Sequence, residues 1–347
     1  MSGFDSFAGN DTLISRLKRD ISTGKMAHAY IIEGGKGCGK MTLSKLICKA
    51  MSCASSAPPC DECIICSKID RFQTPDITVV VPEKDRVQIG VDVIRAVREE
   101  ASYAPIELAK RFFIIPDAEA MTDQSQNALL KILEEPPPHV MFLILTKNVE
   151  ELLTTVRSRA PLLRISALPD DIIEEKLISD CEKAKALKSS DPDAFFAAVK
   201  LSRGSLGTAM TLADPQNADD SLKLYRKAEK FIELMTNRHD AAGDLEFYEH
   251  AVGLASAKER ETLMSVYGLL ADASRDMINA KLSSSPAPIF FTSADKAVSM
   301  AGNFTMAKLI SLTDIFTEAQ ESLSRNTNMN LVLSHTASAV MSAGRTK

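Results

Sequence analysis

AYIIEGGKGCGKMTLSKLICKAM, residues 29–51, decides how this chain folds. An apolar run, AYIIE (29–33), enters a glycine loop, and KMTLSKLICKAM (40–51) leaves it with helical periodicity. Gly34, Gly37, Gly39 and Lys40 stand at phosphate-loop spacing, and the strand–loop–helix setting gives that spacing its meaning. Backbone amides of such a loop, with the N-terminus of the following helix, cradle phosphates, and Lys40 would neutralise them. The competing reading is a glycine turn that only joins a strand to a helix.

Outward from the loop, the pattern repeats. Asp11 is expected to cap a first helix, with Leu13, Ile14, Leu17 and Ile21 at helical spacing. DITVVVP (76–82), RFFIIP (111–116), VMFLILT (140–146) and PLLRI (161–165) read as further strands. Helices are expected over VDVIRAVREEAS (91–102) and over 122–135, the latter stopped by Pro136-Pro137-Pro138. Continuous apolar strands alternating with helices predict a parallel sheet covered on both faces. Beyond Ile165 nearly every segment reads as helix, from DDIIEEKLISDCEKAKAL through LKLYRKAEKFIELM to LMSVYGLLADASRDMI. Polar breaks are expected at 213–220 and 283–288. The predicted organisation is an α/β P-loop domain over 1–165, a small helical domain over 166–212 and an all-α domain over 213–347.

The bulk numbers set bounds. A chain of 347 residues is too long for one ordinary core, and 45% hydrophobic with 25% charged content is that of a folded protein. A net charge of −5 argues against wholesale binding to nucleic acid, although a local basic stripe is compatible with it. The absence of Trp and 5% aromatic content weaken any base-stacking platform. MSGFDSFAGN has neither a charged nor an apolar leader region, and Val140–Leu145 is far shorter than the roughly 20 residues that cross a bilayer. A cytoplasmic protein without a membrane partner is expected. In that compartment clustered cysteines favour metal binding or redox work over structural disulfides.

Cys53, Cys60, Cys63 and Cys66 give C-x6-C-x2-C-x2-C. Four thiolates at these spacings suit a closed tetrahedral zinc site, which would be folding energy for a loop with little core of its own. An iron–sulfur cluster is the rival, although the fourth Cys at x3 followed by Pro is absent. Unliganded thiols are the third reading. Cys38, Cys48 and Cys181 are explained by packing.

The loop lacks two groups that hydrolysis uses. Met41 stands where a hydroxyl would hold magnesium, and Thr42, about 100° further round a helix, does not substitute. Asp117 follows the RFFII strand and could hold Mg²⁺ through water, but Ala118 stands where a water-activating Glu would follow, with Glu119 one residue late. Weak or vestigial ATP/ADP binding is expected, without hydrolysis. His28 reads as structural, and the Met residues of 261–300 as core.

Taken in order, HAYIIEGGKGCGK (28–40), the four cysteines, NALLKILEEPP (127–137) and TVRSRA (155–160) resemble the bacterial clamp-loader subunits of DNA polymerase III. The resemblance is sharp over the first 165 residues and rests on helical character and length beyond them. It implies an AAA+ P-loop core carrying the zinc module, a helical lid and an all-α C-terminal collar that oligomerises. Motor members (gamma/tau) carry GKT or GKS and DE where this chain has Gly39-Lys40-Met41 and Asp117-Ala118. They also carry an Arg near the place of Gly207 in SRGSLGTA (202–209). These departures resemble the delta-prime type, a non-hydrolysing subunit of a hetero-oligomer with delta and gamma/tau, serving the sliding clamp and primed DNA indirectly. In that family Ser158-Arg159 supplies an arginine finger to the neighbour's ATP, here followed by Ala160 in place of the usual Cys, and Thr146 matches the sensor-1 position. The alternatives are an active gamma/tau-type ATPase and a stand-alone zinc-containing nucleic-acid-binding module.

Overall fold

A computed structural model describes residues 3–84, 86–236, 241–254, 260–282, 288–325 and 327–343. They form two compact units, Met1–Asp180 with Arg203–Thr208, and Cys181–Ser202 with Ala209–Lys347.

The first unit runs α1 (Asp11–Ser22), β1 (Ala29–Glu33), α2 (Lys40–Ser52), α3 (Ile64–Asp70), β2 (Ile77–Val79) and α4 (Val91–Glu100). It continues with β3 (Arg111–Ile115), α5 (Asp123–Glu134), β4 (Val140–Thr146), α6 (Thr154–Arg157), β5 (Leu162–Arg164) and α7 (Asp170–Asp180). The five strands pair in the order β2-β3-β4-β1-β5, all in parallel. Alternate residues of each strand face opposite layers. Ile31, Phe113, Ile115, Phe142 and Ile144 pack with Ile94, Val97, Leu129 and Ile132 of α4 and α5. Tyr30, Ile32, Phe112, Ile114 and Leu143 pack with Ile14, Leu17, Leu43 and Ile47 of α1 and α2. Because both faces are covered, β3 and β4 are buried throughout, which is why they read as unbroken apolar runs.

The expected elements shift in a few places. Asn10, not Asp11, is the residue before α1; its left-handed backbone (φ 59°) leaves its side chain to bond Ser166 instead of capping. The strand expected over 76–82 contracts to Ile77–Val79. Asp76, fully buried, spends its carboxylate on the N–H groups of Ile106, Glu107 and Leu108 at 2.6–2.8 Å, and so fixes the chain entering β3. Asp76→Ala leaves three donors without a partner and is expected to cost about 3 kcal/mol in urea unfolding; an unchanged midpoint would refute that role.

The second unit is helical: α8 (Glu182–Ser190), α9 (Pro192–Ser202), most of α10 (Leu206–Leu212), α11 (Pro215–Thr236), α12 (Ala241–Val252), α13 (Arg260–Leu282), α14 (Ala294–Ala301), α15 (Met306–Ser324) and α16 (Met329–Ala343). Its core centres on Phe231, Phe247, Tyr267, Phe290 and Phe316. The helix expected through Cys181 breaks there, at an extended residue between α7 and α8. The polar break expected at 213–220 is mostly helix: Pro215 opens α11, where its missing N–H costs nothing, and Asp214 Oδ1 accepts the N–H of Gln216. The break expected at 283–288 lies, apart from Pro288, outside the described residues.

Candidate functional site

The phosphate-loop sequence follows the C-terminal end of β1, where Gly34 N–H bonds Thr146 O at the end of β4. That is the edge of a parallel sheet at which α/β proteins bind ligands. Gly37 (φ 74°) and Gly39 (φ 98°) take the left-handed backbone, and α2 starts at Lys40. The loop's polar groups are already engaged. Lys40 Nζ donates to Gly34 O at 2.6 Å and Gly35 O at 3.0 Å. Ser205 Oγ and Thr208 Oγ1 donate to Lys36 O at 2.8 and 3.2 Å, and Gly207 N–H donates to Gly37 O at 3.0 Å. A Cβ on Gly207 would stand 2.8 Å from Gly37 O, so the Arg expected in motor relatives does not fit without the loop moving.

The other residues expected at a nucleotide site are placed as follows by the fold. Met41 is half-buried against the α1–α2 side of the core, and Thr42 is exposed. Asp117 is exposed after β3, with Ala118 fully buried beside it. Glu119 turns to Lys147, 3.4 Å away. Thr146, fully buried, donates to Asn148 O at 3.0 Å and accepts from Asn148 N–H at 3.2 Å, closing its own turn.

Ser158 and Arg159 follow α6. Ser158 is exposed, and Arg159 is half-buried with its guanidinium on Thr155 O (2.8 Å), Ser158 Oγ (3.3 Å) and the carboxylate of Glu134. Glu134 ends α5 inside the LEEPP segment, 25 residues upstream of Arg159. Nothing in that spacing announces the pairing, and the sequence reading missed it.

The four cysteines do converge. Cys53 follows α2, Cys60 and Cys63 lie in the loop, and Cys63 caps α3 by accepting Cys66 N–H at 3.4 Å. All four sulfurs lie within 4.8 Å of one another; Cys53–Cys60, Cys53–Cys63 and Cys60–Cys66 are 3.5, 3.9 and 4.0 Å apart. Bonds of about 2.3 Å to a central tetrahedral zinc would set sulfurs about 3.8 Å apart. The donor set and its spacing therefore suit a four-coordinate thiophilic ion, and the four cysteines could bind one. The backbone N–H groups of Glu62 and Cys63, then Cys53, hold the Cys60 thiol down at about 7. Burial, followed by the Cys63 sulfur, pushes Cys66 up to about 12. A cation at the centre favours the thiolate at both positions. Cys48 is fully buried among apolar side chains, which raise its pKa, and packing is its role.

Residues 9–169 match the family model described as DNA polymerase III, delta subunit. DNA polymerase III subunit gamma/tau of Mycobacterium tuberculosis (strain ATCC 25618 / H37Rv) is 34% identical over 185 residues, 52% of this chain and 32% of that one. DNA polymerase III subunit delta' of Bacillus subtilis (strain 168) is 36% identical over 163 residues, 47% of this chain and 49% of that one. A Thermotoga maritima protein related to the DNA polymerase III gamma subunit has a TM-score of 0.43 at 19% identity, covering 95% of this chain and 99% of that one. The family match and these relatives support a clamp-loader family member, delta'- or gamma/tau-like. It spans half or less of the length of these two curated relatives. No described helix is long and apolar enough to cross a membrane.

Proposed function

We propose that this chain is a delta-prime-type clamp-loader subunit, a non-hydrolysing wall of a hetero-oligomer that loads a sliding clamp onto primed DNA. In this reading residues 1–165 are the AAA+ core with a structural zinc module, 166–212 the lid and 213–347 the collar that joins it to delta and gamma/tau partners. Gly34, Gly37, Gly39, Lys40, Asp117 and Thr146 are the remains of a nucleotide site. Zinc on Cys53, Cys60, Cys63 and Cys66 would hold the loop between α2 and α3 and supply no chemistry, since the four ligands leave it no open position. Ser158-Arg159 would serve the neighbour's ATP.

The observation that carries the proposal is the engagement of Lys40 with Gly34 O and Gly35 O, next to Met41 in place of a magnesium-binding hydroxyl. A lysine held by loop carbonyls has fewer donors for phosphate, and without the hydroxyl the metal that neutralises β- and γ-phosphates has lost a ligand. The purified chain is therefore expected to turn ATP over no faster than its Lys40→Ala variant. The identity with gamma/tau proteins favours a second reading, an active motor, and the same measurement separates the two. Brisk turnover abolished by Lys40→Ala would establish the motor and remove the stationary role.

A further inference from the structure

Lys49 lies in the last turn of α2 and is only 5% exposed, an unusual burial for a lysine. Its Nζ stands 2.9 Å from Asp61 Oδ1 and 2.6 Å from Asp70 Oδ2. Burial works against its charge, but the hydrogen bonds of Asp70 and Asp61 outweigh it, and its pKa lies above the ordinary lysine value. A buried ammonium paired twice is held firmly, and deleting it strands two partly desolvated carboxylates.

The two partners are not arbitrary. Asp61 follows Cys60, in the left-handed region (φ 60°), and its other carboxylate oxygen accepts the N–H of Gly3. Asp70 is the last residue of α3, the helix that Cys63 caps and that carries Cys66. Cys53 follows Lys49 by one turn at the end of α2. The segments bearing all four sulfurs thus meet at one ammonium.

We propose that Lys49 is the positioning residue of the metal site, tying the Cys60 turn and the Cys63–Cys66 helix to the helix that ends at Cys53. The inference rests on the metal reading of the four cysteines given above. Side chains that orient metal ligands without touching the metal characteristically change its affinity ten- to a hundredfold. Lys49 acts one step further out, by fixing the turn that follows Cys60 and the end of the helix that carries Cys66.

The test uses the full chain loaded with zinc. Release to a chromogenic chelator is timed, and the cobalt(II)-loaded form reports sulfur geometry by its visible spectrum. Lys49→Met is expected to release zinc about tenfold or more faster, with a shifted cobalt spectrum and unchanged far-ultraviolet circular dichroism. Lys49→Arg, which keeps the charge and both donors, is expected to recover much of the retention. Should Lys49→Met fail to fold, Asp61→Asn and Asp70→Asn each cut one tie and are expected to speed release several-fold. Wild-type release and spectrum in every variant that folds would overturn the assignment while leaving the metal site standing. A wild-type chain that takes up no zinc or cobalt would overturn the metal reading itself, and this inference with it.

Discussion

Arg159→Ala, introduced into a reconstituted loader, is expected to leave assembly intact while the ATP site facing it loses about three orders of magnitude in turnover, the lower end of what arginine fingers contribute. The reason is local. Arg159 has its guanidinium on Glu134, Thr155 O and Ser158 Oγ, all partners within its own chain and at its surface. A surface ion pair of this kind contributes little to stability, about 0–1 kcal/mol, so its loss does not threaten the fold. A delocalised cation beside a transferring phosphoryl group in a dry interface is worth far more. Measured DNA- and clamp-stimulated turnover would fall by the share of the one affected site, with sedimentation of the complex unchanged. Equal turnover in mutant and wild type would remove the finger from this chain. Loss of assembly along with turnover would instead make Arg159 an interface residue.

The second large effect concerns the cysteines. Cys66→Ser, at a fully buried ligand position, is expected to reduce metal content from about one ion per chain to none, and a strong chelator is expected to do the same to the wild type. Because the ligands bind as thiolates, retention weakens as the pH falls. The segment 53–70, held otherwise by Lys49, Ile69 and few other buried groups, should then become open to proteolysis while the sheet survives. Metal analysis by mass spectrometry and limited trypsin digestion check both statements. Iron with visible absorbance in place of zinc would overturn the assignment, and full occupancy in Cys66→Ser would exclude that residue as a ligand.

How much of this was legible beforehand depends on the range of the interaction concerned. The strands β1, β3 and β4 could be read directly, because burial on both faces forces continuous apolar runs. The cysteine cluster was legible for a similar reason: its ligands lie within 14 consecutive residues, so spacing alone foretold convergence. What escaped were polar pairs closed by tertiary structure. Lys49 sits in an apolar helix and reads as a solvated charge, until α3 folds back and brings Asp70 to it. Ser205 and Thr208 lie some 170 residues from the carbonyl they bond. Glu134 was part of a quoted segment, yet its partner could not be inferred. The strand expected at 76–82 proved shorter although Asp76 O and Val80 N–H still bond Phe112 and Ile114, and the break expected at 213–220 closed because proline is tolerated at the first helical position.

One consequence of the loop's self-contacts reaches beyond catalysis. Carbonyls held 2.6 and 3.0 Å from Lys40 Nζ act on it as an internal rival to any phosphate. Any incoming triphosphate must first displace those carbonyls, so the loop's own contacts work against its hold on a nucleotide.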